Sequence, residues 1–161
     1  MAVRHDAREN GDEPMAGDTD ERGEIRVFLV CDDPVAGARL RTALAAYRDI
    51  EVVGDCSSGS QLIEQIEAGA ADVIILDCQL NDEQLVELCR SLKACRASIG
   101  VLLLGAMGWP PLGLAIDTVD GLILKATPVA ELVEGIRNVR RGRPAVDRRL
   151  WPALFGADIP R

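Results

Sequence analysis

Short runs of large apolar residues recur along this chain, separated by stretches whose apolar residues fall three and four apart. The runs are "IRVFLVC" from Ile25, "IEVVGD" from Ile50, "DVIIL" from Asp72, "GVLLL" from Gly100 and "GLIL" from Gly121. Each is too short for a helix and rich in aliphatic, often β-branched residues, so each reads as a buried strand. Between them, Ala36, Leu40, Leu44 and Tyr47 mark one helix, and Leu62, Ile63 and Ile66 a second that stops near Gly69. Leu85, Leu88, Cys89 and Leu92 mark a third. "AMGWPPLGLAIDTV" leaves room only for a short fourth helix after Pro111. The last helix is the best marked: Thr127 is placed to cap it and Pro128 to open it. Val129, Leu132, Val133, Ile136 and Val139 form its apolar stripe. Gly142 and Pro144 stop it, with Arg137, Arg140 and Arg141 in its last turns.

Strands alternating with helices imply right-handed crossovers and a parallel sheet covered on both faces. Five such units predict a doubly wound α/β fold, in which ligands bind beyond the carboxyl ends of the strands. Charge gathers at those ends. Asp32 and Asp33 follow the first strand, Asp77 ends the third, Gly105 the fourth, and Lys125 the fifth. Three neighbouring carboxylates repel one another, and a divalent cation would relieve this. Oxygen-only ligands fit Mg²⁺. The single histidine, His5, leaves little scope for imidazole chemistry. Lys125 offers a point charge for Asp77 or a phosphoryl oxygen. The chain has 16 arginines and only two lysines, so lysine at this position suggests that an ammonium is wanted. A carboxylate can attack phosphorus and form an aspartyl phosphate, with Mg²⁺ and the lysine neutralising the transferred group. The competing reading is that these acids only cap strands or open the following helices.

The segments "VFLVCDD", "VIILDCQL" and "GLILKATPVAELVEGIRNVRRG" together resemble a response-regulator receiver domain, CheY-like in fold. The last is most similar to the NarL/LuxR-type branch, and the resemblance covers roughly residues 25–143. It implies a flavodoxin-like (βα)5 parallel sheet with strand order 2-1-3-4-5. It also implies Asp77 as phosphoacceptor, Lys125 as its phosphoryl partner, and Mg²⁺ held by Asp32, Asp33, Asp77 and the backbone carbonyl of Gln79. Such a module signals rather than catalyses. It takes its phosphoryl group from a histidine kinase or another phosphodonor, and meets a protein partner or a second copy through a face of helix four, strand five and helix five.

The chain departs from that family where the phosphoryl group is normally read. Gly105 stands where a Ser or Thr hydroxyl is usual, and Leu122 where an aromatic residue is usual. Asn81 and Leu85 replace the proline and glycine common after the acceptor, and the segment from Gly105 to Lys125 is short. The expectation is an atypical receiver whose partner binding depends little on phosphorylation. The alternative is a pseudo-receiver, a binding or dimerisation module that ignores phosphorylation.

Composition adds bounds. Net charge is −8, so no direct DNA binding is expected. Residues 1–24 hold eight acids against three arginines and read as a disordered acidic leader; residues 25–143 form the receiver, and 144–161 a tail or docking segment. Trp151, Leu154 and Phe155 either anchor a partner or pack back on the domain. Seventeen residues after Pro144 are too few for a helix-turn-helix output domain. Five cysteines without a C-x-x-C pair read as reduced thiols in a cytoplasmic protein, and a redox role for Cys31 and Cys78 is a third reading. The uncharged stretch 97–116 is broken by glycines and Pro110-Pro111, so no membrane span is expected. No phosphate-binding glycine motif supports a nucleotide site.

Overall fold

The computed structural model describes residues 23–57, 59–68, 71–77, 80–105, 118–150 and 152. Its elements run β1 (Ile25–Cys31), α1 (Pro34–Leu44), β2 (Ile50–Cys56), α2 (Gly59–Ala68), β3 (Val73–Asp77), α3 (Asp82–Cys95), β4 (Gly100–Gly105) and β5 (Gly121–Leu124). They end with α4 (Val129–Arg140), β6 (Ala145–Val146) and a 3₁₀ turn, Arg148–Leu150. The short helix expected near Pro111 falls outside the described residues. So do Gln79, Trp151, Leu154 and Phe155.

Local chemistry explains the boundaries. Asp33 caps α1, its Oδ1 accepting the Val35 N–H at 3.0 Å, and Pro34 opens the helix. Asn81 and Gln84 form a reciprocal capping box at the start of α3. Helix α4 ends in a Schellman motif. Gly142 takes φ +80°, its N–H donates to Val139, and the Arg143 N–H donates to Asn138. Its start differs from the expectation. Pro128 is the cap residue and no side chain caps the helix, because the Thr127 hydroxyl donates instead to Asp147 Oδ2 at 2.7 Å.

The strands form one parallel sheet in the order β2-β1-β3-β4-β5-β6. This is the doubly wound order expected, extended by one strand. Alternate residues face opposite layers. Phe28, Val30, Ile74, Leu76, Val101 and Leu103 join the core that includes Leu62 of α2 and Leu85 and Leu92 of α3. Val27, Leu29, Val73, Ile75, Leu102 and Leu104 join the core with Leu44 of α1 and Leu132, Val133 and Ile136 of α4. A sheet buried on both faces needs apolar residues at consecutive positions, which is why β1, β3, β4 and β5 read as largely unbroken runs, whereas in edge strand β2 only Ile50 is buried.

Strand β6 pairs with β5 through Gly121–Ala145 and Leu122–Val146, so residues 145–150, read from sequence as the start of a tail, pack as part of this domain. Leu150 is buried in the core beside Leu122 and Leu124. The Asp147 side chain, only 4% exposed, accepts from the Leu124 N–H, the Thr127 hydroxyl and three Arg149 donors. Burial alone would raise its pKa. The bonds from Arg149, Thr127 and the backbone outweigh burial and lower it from 3.8 to about 2.

Candidate functional site at the carboxyl edge

The side-chain parity of each strand continues past its last core residue. Val73 and Ile75 face the α1/α4 layer, and so does Asp77; Leu29 leads to Cys31 and Ile123 to Lys125 in the same way. Cys31 and Asp77 are register partners on neighbouring strands. Asp77, Cys31 and Lys125 therefore meet at one corner of the sheet. The Lys125 ammonium lies 2.8 Å from Asp77 Oδ1, and the Cys31 thiol donates to Oδ2 at 3.4 Å.

Asp77 is 8% exposed and sits beneath the half-exposed Lys125. Oδ1 is buried, and the Lys125 ammonium is its partner. Asp77 raises the Lys125 pKa above its ordinary value, against a smaller opposing effect of burial, and the Asp32 charge adds to the rise. The ammonium therefore stays charged. Burial pushes the Cys31 thiol up to about 11, and the Asp77 carboxylate pushes it the same way. The thiol is protonated at neutral pH, which suits a donor to Asp77 and not a nucleophile or redox sensor. Cys78 lies outside the described residues.

The proposed metal acids divide. Asp32 is exposed at the rim, and its charge reaches both Lys125 and Cys31. Asp33 has one oxygen engaged in capping α1, as the competing sequence reading holds. Among the described residues no three His, Cys, Asp or Glu side chains form a preassembled metal cage. Mg²⁺ requires no such cage, because it keeps several waters and is typically held by one or two carboxylates plus phosphate oxygens. The buried Asp77 carboxylate, with Asp32 at the rim, fits a hard cation on that basis.

At the expected switch positions, Gly105 offers only its carbonyl, which accepts the Lys125 N–H at 2.8 Å. Leu122 is 1% exposed and locked in the core with Leu124 and Leu150. Two features escaped the sequence reading. One is that Cys31, one position before the acidic pair, lies directly across from Asp77; strand register could have indicated it. The other is Asp147, which no periodicity marks.

Residues 27–137 match the response regulator receiver domain model. The chain belongs to that family. Receiver domains are signalling modules of two-component systems that interact with histidine kinases and typically bind Mg²⁺ at the acidic site. Similar curated proteins include the transcriptional activator DevR/DosR of Mycobacterium tuberculosis, 30% identical over 81% of this chain. VraR of Staphylococcus aureus is 30% identical over 73% of this chain. Both belong to the NarL/LuxR-type branch. The chain spans 61% and 57% of their lengths. The response regulator ChrA of a heme-sensing two-component system is 29% identical, with TM-score 0.68, and is covered over 68% of its chain and 86% of this one. The isolated receiver of RcsB from Salmonella enterica serovar Typhimurium shares the fold at 20% identity and TM-score 0.70, over 81% of this chain and 99% of that one. No helix among the described residues is long and apolar enough to cross a membrane.

Proposed function

We propose that this receiver accepts a phosphoryl group on Asp77 and signals through protein contact. The observation that carries this is the buried Asp77 carboxylate with the Lys125 ammonium 2.8 Å from its Oδ1. A carboxylate oxygen retains lone pairs that can attack phosphorus. The new Oδ1–P bond forms as the bond from phosphorus to the donor's leaving atom breaks, and that atom takes the electron pair: the imidazole nitrogen of a phosphohistidine or the acyl oxygen of acetyl phosphate. Lys125 holds positive charge beside the equatorial oxygens, and Cys31 orients the carboxylate through Oδ2. Mg²⁺, bound by Asp77 with Asp32, Asp33 and the Gln79 carbonyl as further ligands, would neutralise charge on the transferred group.

Acetyl phosphate with Mg²⁺ is the test, read by intact-protein mass spectrometry. The expected result is an adduct of about 80 Da, one phosphoryl group. No adduct supports the pseudo-receiver reading, in which the acids are vestigial and the module binds or dimerises regardless.

Readout is the weaker half of the function. Gly105 supplies no hydroxyl to recruit, and Leu122 is buried core with no aromatic ring to swing, so the face of strand β5 and helix α4 is expected to change little on phosphorylation. The expected result is that a beryllofluoride mimic shifts partner affinity by less than about tenfold, or 1.4 kcal/mol. A larger change would mean that another route carries the signal.

A further inference from the structure

We propose that a basic cleft at the amino edge of the sheet, opposite Asp77, binds acidic peptide, and that residues 9–21 of this chain are its ligand. The cleft has a volume of about 1040 Å³ and opens where β1, β4 and the ends of α3 and α4 meet. Seven cationic side chains and three carboxylates line it, in a protein of net charge −8.

The three carboxylates are already committed. Asp49 takes a two-pronged bond from Arg137 at 2.8 and 3.1 Å, and Asp120 pairs with Lys93 at 2.8 Å. Asp72 accepts the Arg26 N–H at 2.9 Å and lies 3.7 Å from Arg140. Arg96, Arg141 and Arg143 have no carboxylate in ion-pair range among the described residues, and Arg96 Nε is buried with no hydrogen-bond partner. The negative ends of α3 and α4 offset some of this charge, at roughly half an elementary charge each. Arg137 also pairs with Glu134 at 2.8 Å, so the surplus of four positive charges leaves about two unanswered.

The chain carries matching charge at the cleft's rim. Gly23 lines the cleft, and the leader enters there. Residues 9–21 contain six acids and no lysine or arginine. At most about 3.5 Å per residue, Asp18, Asp20 and Glu21 fall within roughly 20 Å of Gly23, enough to reach Arg96, Arg141 and Arg143 across the cleft. A tether this short holds the segment at an effective concentration on the order of millimolar. Weak surface pairing is then enough to fill the site. This inference does not rest on phosphoryl chemistry, which belongs to the other edge.

The experiment titrates a synthetic peptide of residues 9–21 into the full chain and into a full-length variant with the leader acids neutralised (E9Q, D12N, E13Q, D18N, D20N, E21Q). If the leader fills the cleft, the neutralised variant binds the peptide about tenfold more tightly than the full chain, the factor expected for a millimolar internal competitor and an intrinsic Kd near 0.1 mM. That binding weakens steeply with added salt. It is lost when Arg96→Ala, Arg141→Ala and Arg143→Ala are added, in a chain shown to be folded by circular dichroism. Equal affinity in both chains overturns the proposal, as does binding that survives the arginine substitutions or high salt. Preference of the neutralised variant for a short duplex DNA over the peptide assigns the cleft to nucleic acid and equally overturns it.

Discussion

Asp77→Asn is expected to take up no phosphoryl group from acetyl phosphate, whereas the parent chain gains about 80 Da. The substitution keeps the shape and volume of the side chain, so the β3 core beneath it is undisturbed. It removes the anionic oxygen that faces Lys125 and puts a neutral amide, a poor nucleophile, in its place. An adduct of unchanged yield in the variant would move the chemistry to another acid, Asp32 being nearest by its influence on Lys125. Lys125→Ala is the companion. Asp77 stays intact but loses the charge set to meet the developing phosphoryl oxygens. Removing one such preorganised group typically slows a reaction by 10²–10³-fold, so the adduct should form slowly but still on Asp77. An unchanged rate would make the lysine a structural counter-charge only.

Asp147→Asn is expected to destabilise the fold by about 2 kcal/mol, the cost typical of leaving hydrogen-bond partners of a buried carboxylate unsatisfied; the half-exposed Arg149 is solvated by water. Five donors converge on this carboxylate, and an amide satisfies only part of them. Urea denaturation followed by circular dichroism reads the change as a lower midpoint at unchanged slope. The same residue sets an acid limb. Its folded pKa, about 2, lies below the ordinary 3.8, so its contribution is complete above pH 3.8 and is lost as pH falls toward 2. The difference of nearly two units corresponds to about 2 kcal/mol. The stability of the parent should therefore fall more steeply than that of the variant across this window. Parallel curves would show that the Asp147 cluster contributes no net stability.

The fold was largely legible because β1, β3, β4 and β5 are buried on both faces. That requirement leaves unbroken apolar runs whose ends can be read directly, as at Ile25 and Cys31. The capping pair Asn81 and Gln84 and the stop at Gly142 are local signals of the same kind. Thr127 misled because capping propensity is a local preference, and its hydroxyl instead meets a buried carboxylate twenty residues away. The short edge strand β6 was missed because two residues carry no period.

For the site, the chain order of residues and the alternation of side chains place Asp77 and Lys125 at one edge without any structure in hand. Both are consequences of covalent geometry and of burying a parallel sheet. Which groups touch is a matter of register between strands and of competition among partners. Register puts Cys31 against Asp77, competition draws Asp33 into capping α1, and Leu122 and Leu150 share one core. The basic cleft arises in the same way, because Arg26, Arg96 and Arg143 are far apart in the chain and share a wall only once β1, α3 and α4 are packed. Contacts between residues dozens of positions apart depend on how layers settle against one another, and no local pattern records that.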